Sequence, residues 1–372
     1  MENYVIININ TTKKGGKCQM ISYPILKENT KVNPLGYGAL NNTLSCKVTE
    51  KRNDAFYLEL KCKNVGDIVD YIKVGRLIEA WTGEELGYQH FRIYDVKKDI
   101  KGNIDISAEH VYFDLKKIPV VDKQYLNANI KTILSNLLSK DLVITGHGFT
   151  VQTDLNETID VDFKCSNSVA ESILGTEGSV LEGVSTTFEL IRSNQEIKVM
   201  KSRGKVQNSV ISYTKNIDGF KCIENRDTAY THLFPYAYKK NTSTDANAKD
   251  TLITCSPKTV TMWEYEGGAV NVCARDFTND VVWETKTLNA TNLLAHAKKH
   301  AKKMQSDPPF KYEVKLSAIK LKSDEELKSI GIGDTFRLFN KMYNITTNVK
   351  VTELVVDCLT KTPISVVLEE VI

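Results

Sequence analysis

Apolar and polar positions alternate with period two at both ends of the chain, which predicts β-strands there. Val5-Ile6-Ile7-Asn8-Ile9 opens the chain, Gly15-Gly16 turns it, and Phe56-Tyr57-Leu58-Glu59-Leu60 alternates cleanly. The mixed stretch 64–83 predicts either a short helix or a helix-to-strand transition. Phe91 to Val96 reads as a strand. Mostly polar residues follow, ending at Gly102-Asn103, and alternation resumes with Ile104, Ile106 and Ala108. That is a hairpin pattern. The next run, His110-Val111-Tyr112-Phe113-Asp114-Leu115, is too apolar for a solvated loop yet carries a histidine and a carboxylate. Pro119 marks a boundary.

The periodicity then changes. Within 127–141, Ile130, Ile133, Leu134, Leu137 and Leu138 fall at helical spacing, with Asn127 or Asn129 as N-cap. A shorter helix is expected from Ser166 to Gly175, and strands return over 186–213, where Ser202-Arg203-Gly204 turns the chain. Residues 216–241 form a junction with Pro235 inside the aromatic group Phe234, Tyr236 and Tyr238. The polar stretch 239–250 predicts a mobile loop. A second helix spans 290–305, with Leu293, Leu294, Ala297, Ala301 and Met304 on one side, and Asp307-Pro308-Pro309 ends it. Residues 310–371 are again mostly strand.

The order is β, α/β, α-containing, β. The two ends also resemble each other. Phe91-Arg92-Ile93-Tyr94-Asp95 compares with Phe336-Arg337-Leu338-Phe339-Asn340; each precedes a turn and a second strand, and each second strand reaches an acidic residue near a leucine (Asp114-Leu115, Asp357-Cys358-Leu359). These elements predict a β-rich α+β multidomain chain. Two similar small antiparallel β-barrel domains, 1–118 and 310–372, would flank an α/β domain at 119–215 and an α+β domain at 216–309.

At 372 residues, 41% hydrophobic and 26% charged, the chain can build packed cores. Forty-nine basic residues against 46 acidic ones leave a net charge of +3, too mild for a nucleic-acid binder. No two of the eight cysteines form a C-x-x-C pair, so zinc has no local support, and their scatter fits buried free thiols in a reducing compartment. The N-terminus lacks the basic and apolar regions of a signal peptide, and no run is long enough for a membrane span.

Candidate chemistry is sparse. His296 and His300 stand at i, i+4 on the second predicted helix, the spacing of a metal pair. Two lysines lie close between them and no glutamate follows the metalloprotease pattern, so an exposed basic face is expected instead. His110 with Asp114 could serve acid/base chemistry, but no nucleophile motif accompanies it; a barrel-wall histidine satisfied by a hydrogen bond is the expectation. His147 sits in a Gly-rich turn, and Gly331-Ile332-Gly333-Asp334 reads as a turn before a strand rather than a nucleotide loop. Glu264 and Glu266 alternate with Trp263 and Tyr265, a mix that could hold sugar but reads better as a strand with its aromatics inward. No catalytic, cofactor-binding or metal residue is expected.

Four stretches together resemble the phage tail hub family, also known as the prophage tail endopeptidase or tail-associated lysin family, to which the baseplate hubs of contractile tails are distant relatives. The first is Gln89 to Val96 running into Ala108 to Leu115. The second is Thr187-Phe188-Glu189-Leu190 through Lys201-Ser202-Arg203-Gly204 to Ile211 to Ile217. The third is Thr231 to Tyr238, where the family usually has glycine at the position of Ala237. The fourth is Ile332-Gly333-Asp334-Thr335-Phe336-Arg337-Leu338.

The resemblance implies a structural hub: a homotrimer whose two barrels per subunit make a pseudo-sixfold ring. Such a ring joins the sixfold tail tube, or a distal tail protein, to a threefold spike or fibre, with the tape measure protein a further candidate neighbour. It would sit at the tail tip or baseplate of a virion or phage-tail-like particle, assembled in the bacterial host cytoplasm. Nucleic acid would meet it only by passage through a lumen. In that setting the run from His110 to Leu115 would be the strand edge and corner closing the first barrel. Many family members continue into a wall-degrading domain. This chain ends at Ile372, so no catalysis is expected, the lytic part belonging to another protein or to a longer form of this one. The alternatives are a cell-wall endopeptidase using His110, His147 or the acids near Trp263, and a carbohydrate-binding tail adhesion protein.

Overall fold

A computed structural model describes residues 21–28, 36–139, 148–175, 178–212, 215–224, 230–241, 249–262, 270–304, 310–316 and 325–371. The opening run Val5–Ile9, the Gly15-Gly16 turn, most of loop 239–250 and the prolines at 308 and 309 therefore lie outside the described residues. The described part is β-rich with several sheets, as expected from the periodicity.

In chain order the N-terminal strands are β1 (Ile25–Lys27), β2 (Gly38–Ala39), β3 (Thr43–Lys51), β4 (Phe56–Lys63), β5 (Leu77–Trp81), β6 (Tyr88–Lys98) and β7 (Asn103–His110). Next come β8 (Lys123–Asn129), α1 (Ile130–Leu137), β9 (Thr150–Thr153), β10 (Thr158–Phe163), α2 (Val169–Leu174), α3 (Val180–Gly183), β11 (Glu189–Ser193) and β12 (Glu196–Met200). β13 (Val206–Ser212), β14 (Ile217–Glu224), β15 (His232–Lys239), β16 (Thr251–Thr254), β17 (Val260–Thr261), β18 (Val272–Asp276) and α4 (Ala290–Met304) follow. The chain closes with β19 (Phe310–Leu316), α5 (Glu325–Lys328), β20 (Thr335–Asn340), β21 (Ile345–Asp357) and β22 (Thr362–Glu370).

The chain divides into two compact units. The first holds the described residues up to Val111, Arg203–Lys221 and Tyr312–Val371. One sheet of thirteen strands runs through it, in the order β14-β19-β22-β21-β3-β4-β7-β6-β5-β1-β2, with β20 beside β21 and β13 parallel to β20. Among the described residues, N-terminal and C-terminal strands meet where β3 pairs antiparallel with β21, from Glu353 opposite Lys51 to Asp357 opposite Lys47. The alternation seen in sequence explains the packing: Phe56, Leu58, Leu60 and Cys62 of β4, and Ile104, Ile106 and Ala108 of β7, all face the core.

The two hairpins compared in sequence both form, β6 with β7 and β20 with β21. Phe91 and Ile93 occupy the core on one, Phe336 and Leu338 on the other. Their ends differ. Asp357 closes β21 and accepts a hydrogen bond from Leu359 N (2.9 Å), whereas Asp114 lies in a 3-10 helix, Val111–Lys117, and not in a strand. The run from His110 to Leu115 is thus not a strand edge. Only His110 belongs to β7; the consecutive burial of Val111, Tyr112 and Phe113 suits a tight helical turn, since a strand would send alternate residues to opposite faces. The mixed stretch 64–83 resolves as a 3-10 turn, Asp67–Tyr71, leading into β5.

The second unit holds Tyr112–Ser202 and Cys222–Lys311. Tyr112 and Phe113 pack edge to face (5.3 Å) in its interior, with the buried Arg192 guanidinium 5.7 and 5.6 Å from their rings. α1 begins where Asn129 accepts a hydrogen bond from Lys131 N, and Ile130, Ile133, Leu134 and Leu137 are buried as the spacing predicted. It is shorter than 127–141 because 127–129 extend β8, which pairs with β10. α2 carries a capping box, Ser168 with Glu171, and stops at Gly175. Asn289 caps α4 through Asn292 N (2.9 Å). Leu293, Ala297 and Ala301 of α4 pack on Leu233, Ala237 and Phe277 around β15. Pro235 is tolerated inside β15 because β17 pairs only as far as Leu233 and β16 only from Tyr236, so it falls in a gap between them.

Candidate functional site

On β3, Cys46 and Val48 face the core, and parity places Glu50 on the same face. A carboxylate cannot be left there uncompensated. Arg203 supplies the counter-charge from the turn that precedes β13. Its Nη1 donates to Glu50 Oε1 at 2.7 Å and Nη2 to Glu50 Oε2 at 3.1 Å, a bidentate pair. Nε and Nη2 also donate to Glu85, from the turn between β5 and β6, at 2.8–3.1 Å. The Arg203 side chain is 2% exposed, Glu50 5% and Glu85 36%. Burial works against the arginine's charge, and the two carboxylates, Glu50 foremost, more than offset it, holding its pKa above the ordinary value. With all three of its nitrogens donating to these carboxylates, the guanidinium serves as a pin in the sheet.

A backbone interlock adjoins this pin. Gly204 (φ +86°) and Gly333 (φ +87°) lie against each other; a Cβ on Gly204 would stand 2.1 Å from Gly333 C, and one on Gly333 2.3 Å from Arg203 O. Only glycine fits both the positive φ and the approach. The Asp334 carboxylate accepts hydrogen bonds from Lys205 N (2.7 Å), Gln207 Nε2 (2.9 Å) and Gly331 N (3.0 Å), and Thr335 N donates to Lys205 O (2.8 Å). The turn at Gly331–Asp334 is thus a structural turn before β20. The structure brings together two stretches that the sequence reading treated separately, Lys201–Gly204 and Ile332–Leu338.

The histidines singled out in sequence do not converge. His110 stacks on Phe56 (4.6 Å) and its Nε2 lies 3.2 Å from Gln89 Oε1, while Asp114 belongs to the other unit. His296 and His300 are not on an exposed basic face. His296 Nε2 contacts Asp280 Oδ2 at 2.6 Å, and His300 lies against Arg275 Nη1 at 2.8 Å. Burial, then the charge of Arg275, pushes His300 down to about 3. Lys299 and Lys303 fold onto the carbonyls of Gly183 and Leu181, each at 3.0 Å, leaving Lys298 and Lys302 exposed. The sequence pattern missed this because Phe277, Arg275 and the 181–183 carbonyls, which cover the histidine face, are remote in the chain. Among the described residues no group of three or more His, Cys, Asp or Glu could hold a metal ion, and no helix is long and apolar enough to cross a membrane. His147, Trp263, Glu264, Tyr265 and Glu266 lie outside the described residues. Cys46, Cys62, Cys255 and Cys358 are buried free thiols as expected, but Cys165 and Cys222 are exposed.

Sequence reading also missed Glu50, Glu85 and Arg203. The one available signal was a glutamate at a core-facing position of a strand.

The family described as prophage endopeptidase tail matches residues 205–366. Solved structures share the fold across most of the chain. The 43 kDa tail protein of prophage MuSo2 from Shewanella oneidensis aligns with TM-score 0.61 at 10% identity, over 93% of this chain and 97% of that one. The tail protein from Neisseria meningitidis MC58 gives 0.60 at 10%, over 94% and 96%. Prophage tail protein gp18 from Listeria monocytogenes EGD-e gives 0.57 at 14%, over 93% and 94%. No curated protein matches. The resemblance to the phage tail hub family is borne out: the chain has the fold of phage tail proteins, and residues 205–366 match the model of the prophage endopeptidase tail family. Together these support a phage tail structural protein.

Proposed function

We propose that the chain is a structural hub subunit of a tail tip or baseplate, in a phage or a phage-tail-like particle. Three copies close into a ring by a heterologous interface. The observation that carries this reading is the pair of comparable hairpins, β6–β7 and β20–β21, held in one sheet through the β3–β21 seam. Two similar halves per subunit give a threefold ring six similar positions. Residues 1–118 and 310–372 are proposed as the two hub barrels, with 119–215 and 216–309 inserted between them. The ring would match a sixfold tube or distal tail protein on one side and a threefold spike or fibre on the other, with the tape measure protein a further neighbour. Its role is assembly rather than catalysis, and Arg203 and the Gly204–Gly333 interlock hold the subunit's shape.

Light scattering at several concentrations, with negative-stain images of the same peak, tests this. The expected result is three times the 41.9 kDa chain mass, or a rise toward it with concentration, and three-lobed rings. A species of any other stoichiometry, such as a closed dimer, would refute the ring. The word endopeptidase in the family's description favours a second reading, cleavage of cell-wall peptide. Turnover of purified peptidoglycan that His147→Ala abolishes would install it. Specific glycan retention by a stable monomer would instead favour adhesion.

A further inference from the structure

The seam between β3 and β21 carries a feature that neither the fold comparison nor the hub reading uses. Its register places Asp357 opposite Lys47, and one step further puts Cys358 opposite Cys46. Cys358 N donates to Cys46 O at 2.9 Å, so these are directly facing residues of an antiparallel pair. Facing residues of this hydrogen-bonded kind have Cα atoms about 5.5 Å apart, inside the range that a disulfide spans. Both residues are 1% exposed, and both are free thiols. The other buried cysteine of this sheet, Cys62, lies opposite Thr43 and has no such partner.

We propose that Cys46 and Cys358 are an oxidisable pair whose disulfide closes the seam joining the N-terminal and C-terminal strands. The oxidant is a small-molecule disulfide such as oxidised glutathione. One cysteine thiolate attacks a sulfur of that disulfide, forming a mixed disulfide and releasing one glutathione thiolate. The second cysteine thiolate then attacks the protein-bound sulfur, forming the Cys46–Cys358 bond and releasing the second glutathione thiolate. Two electrons pass from the cysteines to the oxidant, and the two cysteine protons end on two glutathione thiols. Burial raises the Cys358 thiol well above its ordinary pKa, so little thiolate forms in the closed seam and attack there is slow. Reaction therefore proceeds when the seam opens, or as the chain folds in an oxidising medium. The chemistry stands independently of the hub reading; only its timing rests on that reading, since a tail component made in a reducing cytoplasm later leaves the cell.

The test uses the whole chain carrying Cys165→Ser and Cys222→Ser, which removes the two thiols exposed among the described residues. One sample is held native with oxidised glutathione. A second is refolded from denaturant in a glutathione redox buffer. Both are then alkylated and mapped by mass spectrometry without reduction. The expected result is a linked peptide joining Cys46 to Cys358 as the major form of both residues in at least the refolded sample, lighter by two hydrogens than the free pair. Adding Cys46→Ser should abolish that peptide and leave Cys358 alkylated or glutathionylated. Free thiols at both positions in both samples, or preferential pairing of either residue with Cys62, Cys255 or Cys273, would overturn the proposal. Failure of the chain to form rings would leave this result unaffected.

Discussion

Arg203→Met isolates the pin in the sheet. The substitution keeps the unbranched stem and removes the guanidinium, leaving Glu50, whose side chain is 5% exposed, facing the core without its counter-charge. Removing one partner of a buried ion pair costs about 3–5 kcal/mol, because the remaining charge is uncompensated. Glu85 contributes little to that figure, since at 36% exposure water takes over its solvation. Two consequences separate this account from simple loss of packing. Acidification, which lets the orphaned Glu50 take up a proton, should shrink the deficit of the variant relative to the wild type. Adding Glu50→Gln should recover about half or more of the loss, as a neutral amide is far cheaper to bury than an unpaired charge. The assay is urea unfolding at several pH values, read by hydrogen exchange in β3 and β13 peptides so that the first unit is followed separately. A loss below about 1 kcal/mol, or a loss that neither acid nor Glu50→Gln relieves, would refute the reasoning.

Other outcomes follow from the same geometry. Gly204→Ala places a methyl group against the Gly333 backbone at 2.1 Å and at positive φ, so a loss of about 3 kcal/mol or more is expected, read as a lower urea midpoint for the first unit. Asp334→Ala leaves the amides of Lys205 and Gly331 without their acceptor and should cost about 1–3 kcal/mol for each that stays dry; exchange of those two amides should rise first. His300, held near 3 in the fold against an ordinary value of 6.5, binds its proton more readily when unfolded. Its contribution is complete above pH 6.5 and is lost as pH falls from there toward 3. The wild type should therefore lose about 2 kcal/mol in the second unit between pH 6.5 and 4.5, and His300→Gln should flatten that slope in pH-dependent thermal melts. Zinc should leave the melting temperature unchanged, because Asp280 engages His296 and the Arg275 guanidinium stands beside His300.

What the sequence made legible is what its neighbours along the chain determine. β4 and β7 could be read because every second residue must meet the core, and α1, α2 and α4 because their apolar stripes and capping residues lie within one or two turns. The run from Val111 to Leu115 could not, since consecutive apolar residues fit a strand buried on both faces as well as a buried turn. Nor could the pin: Arg203 is 153 positions from Glu50 and 118 from Glu85, and no local period connects them. The same limit hides the β3–β21 seam, whose register decides which residues face each other. Yet charge placement carries partial information about such distant pairings. A glutamate on the core parity of a strand requires a cation somewhere, and the lone arginine between two small turn residues, Ser202 and Gly204, was an available donor. That glycine has a second role, because its missing Cβ lets the arginine's turn lie directly on Gly333. The pin and the interlock are therefore one device, and they occur where the chain re-enters the first unit at Arg203. A segment that leaves a sheet and returns after some ninety residues needs its re-entry point specified by more than strand propensity. A buried charge that can be satisfied in only one register supplies that specification, at a cost in stability that an apolar contact would not carry. The comparison of Arg203→Met with a double Arg203→Met, Glu50→Leu variant bears directly on this. If the role is specificity, the double variant should be at least as stable as the wild type yet show faster exchange or mixed pairing at β13 and β20.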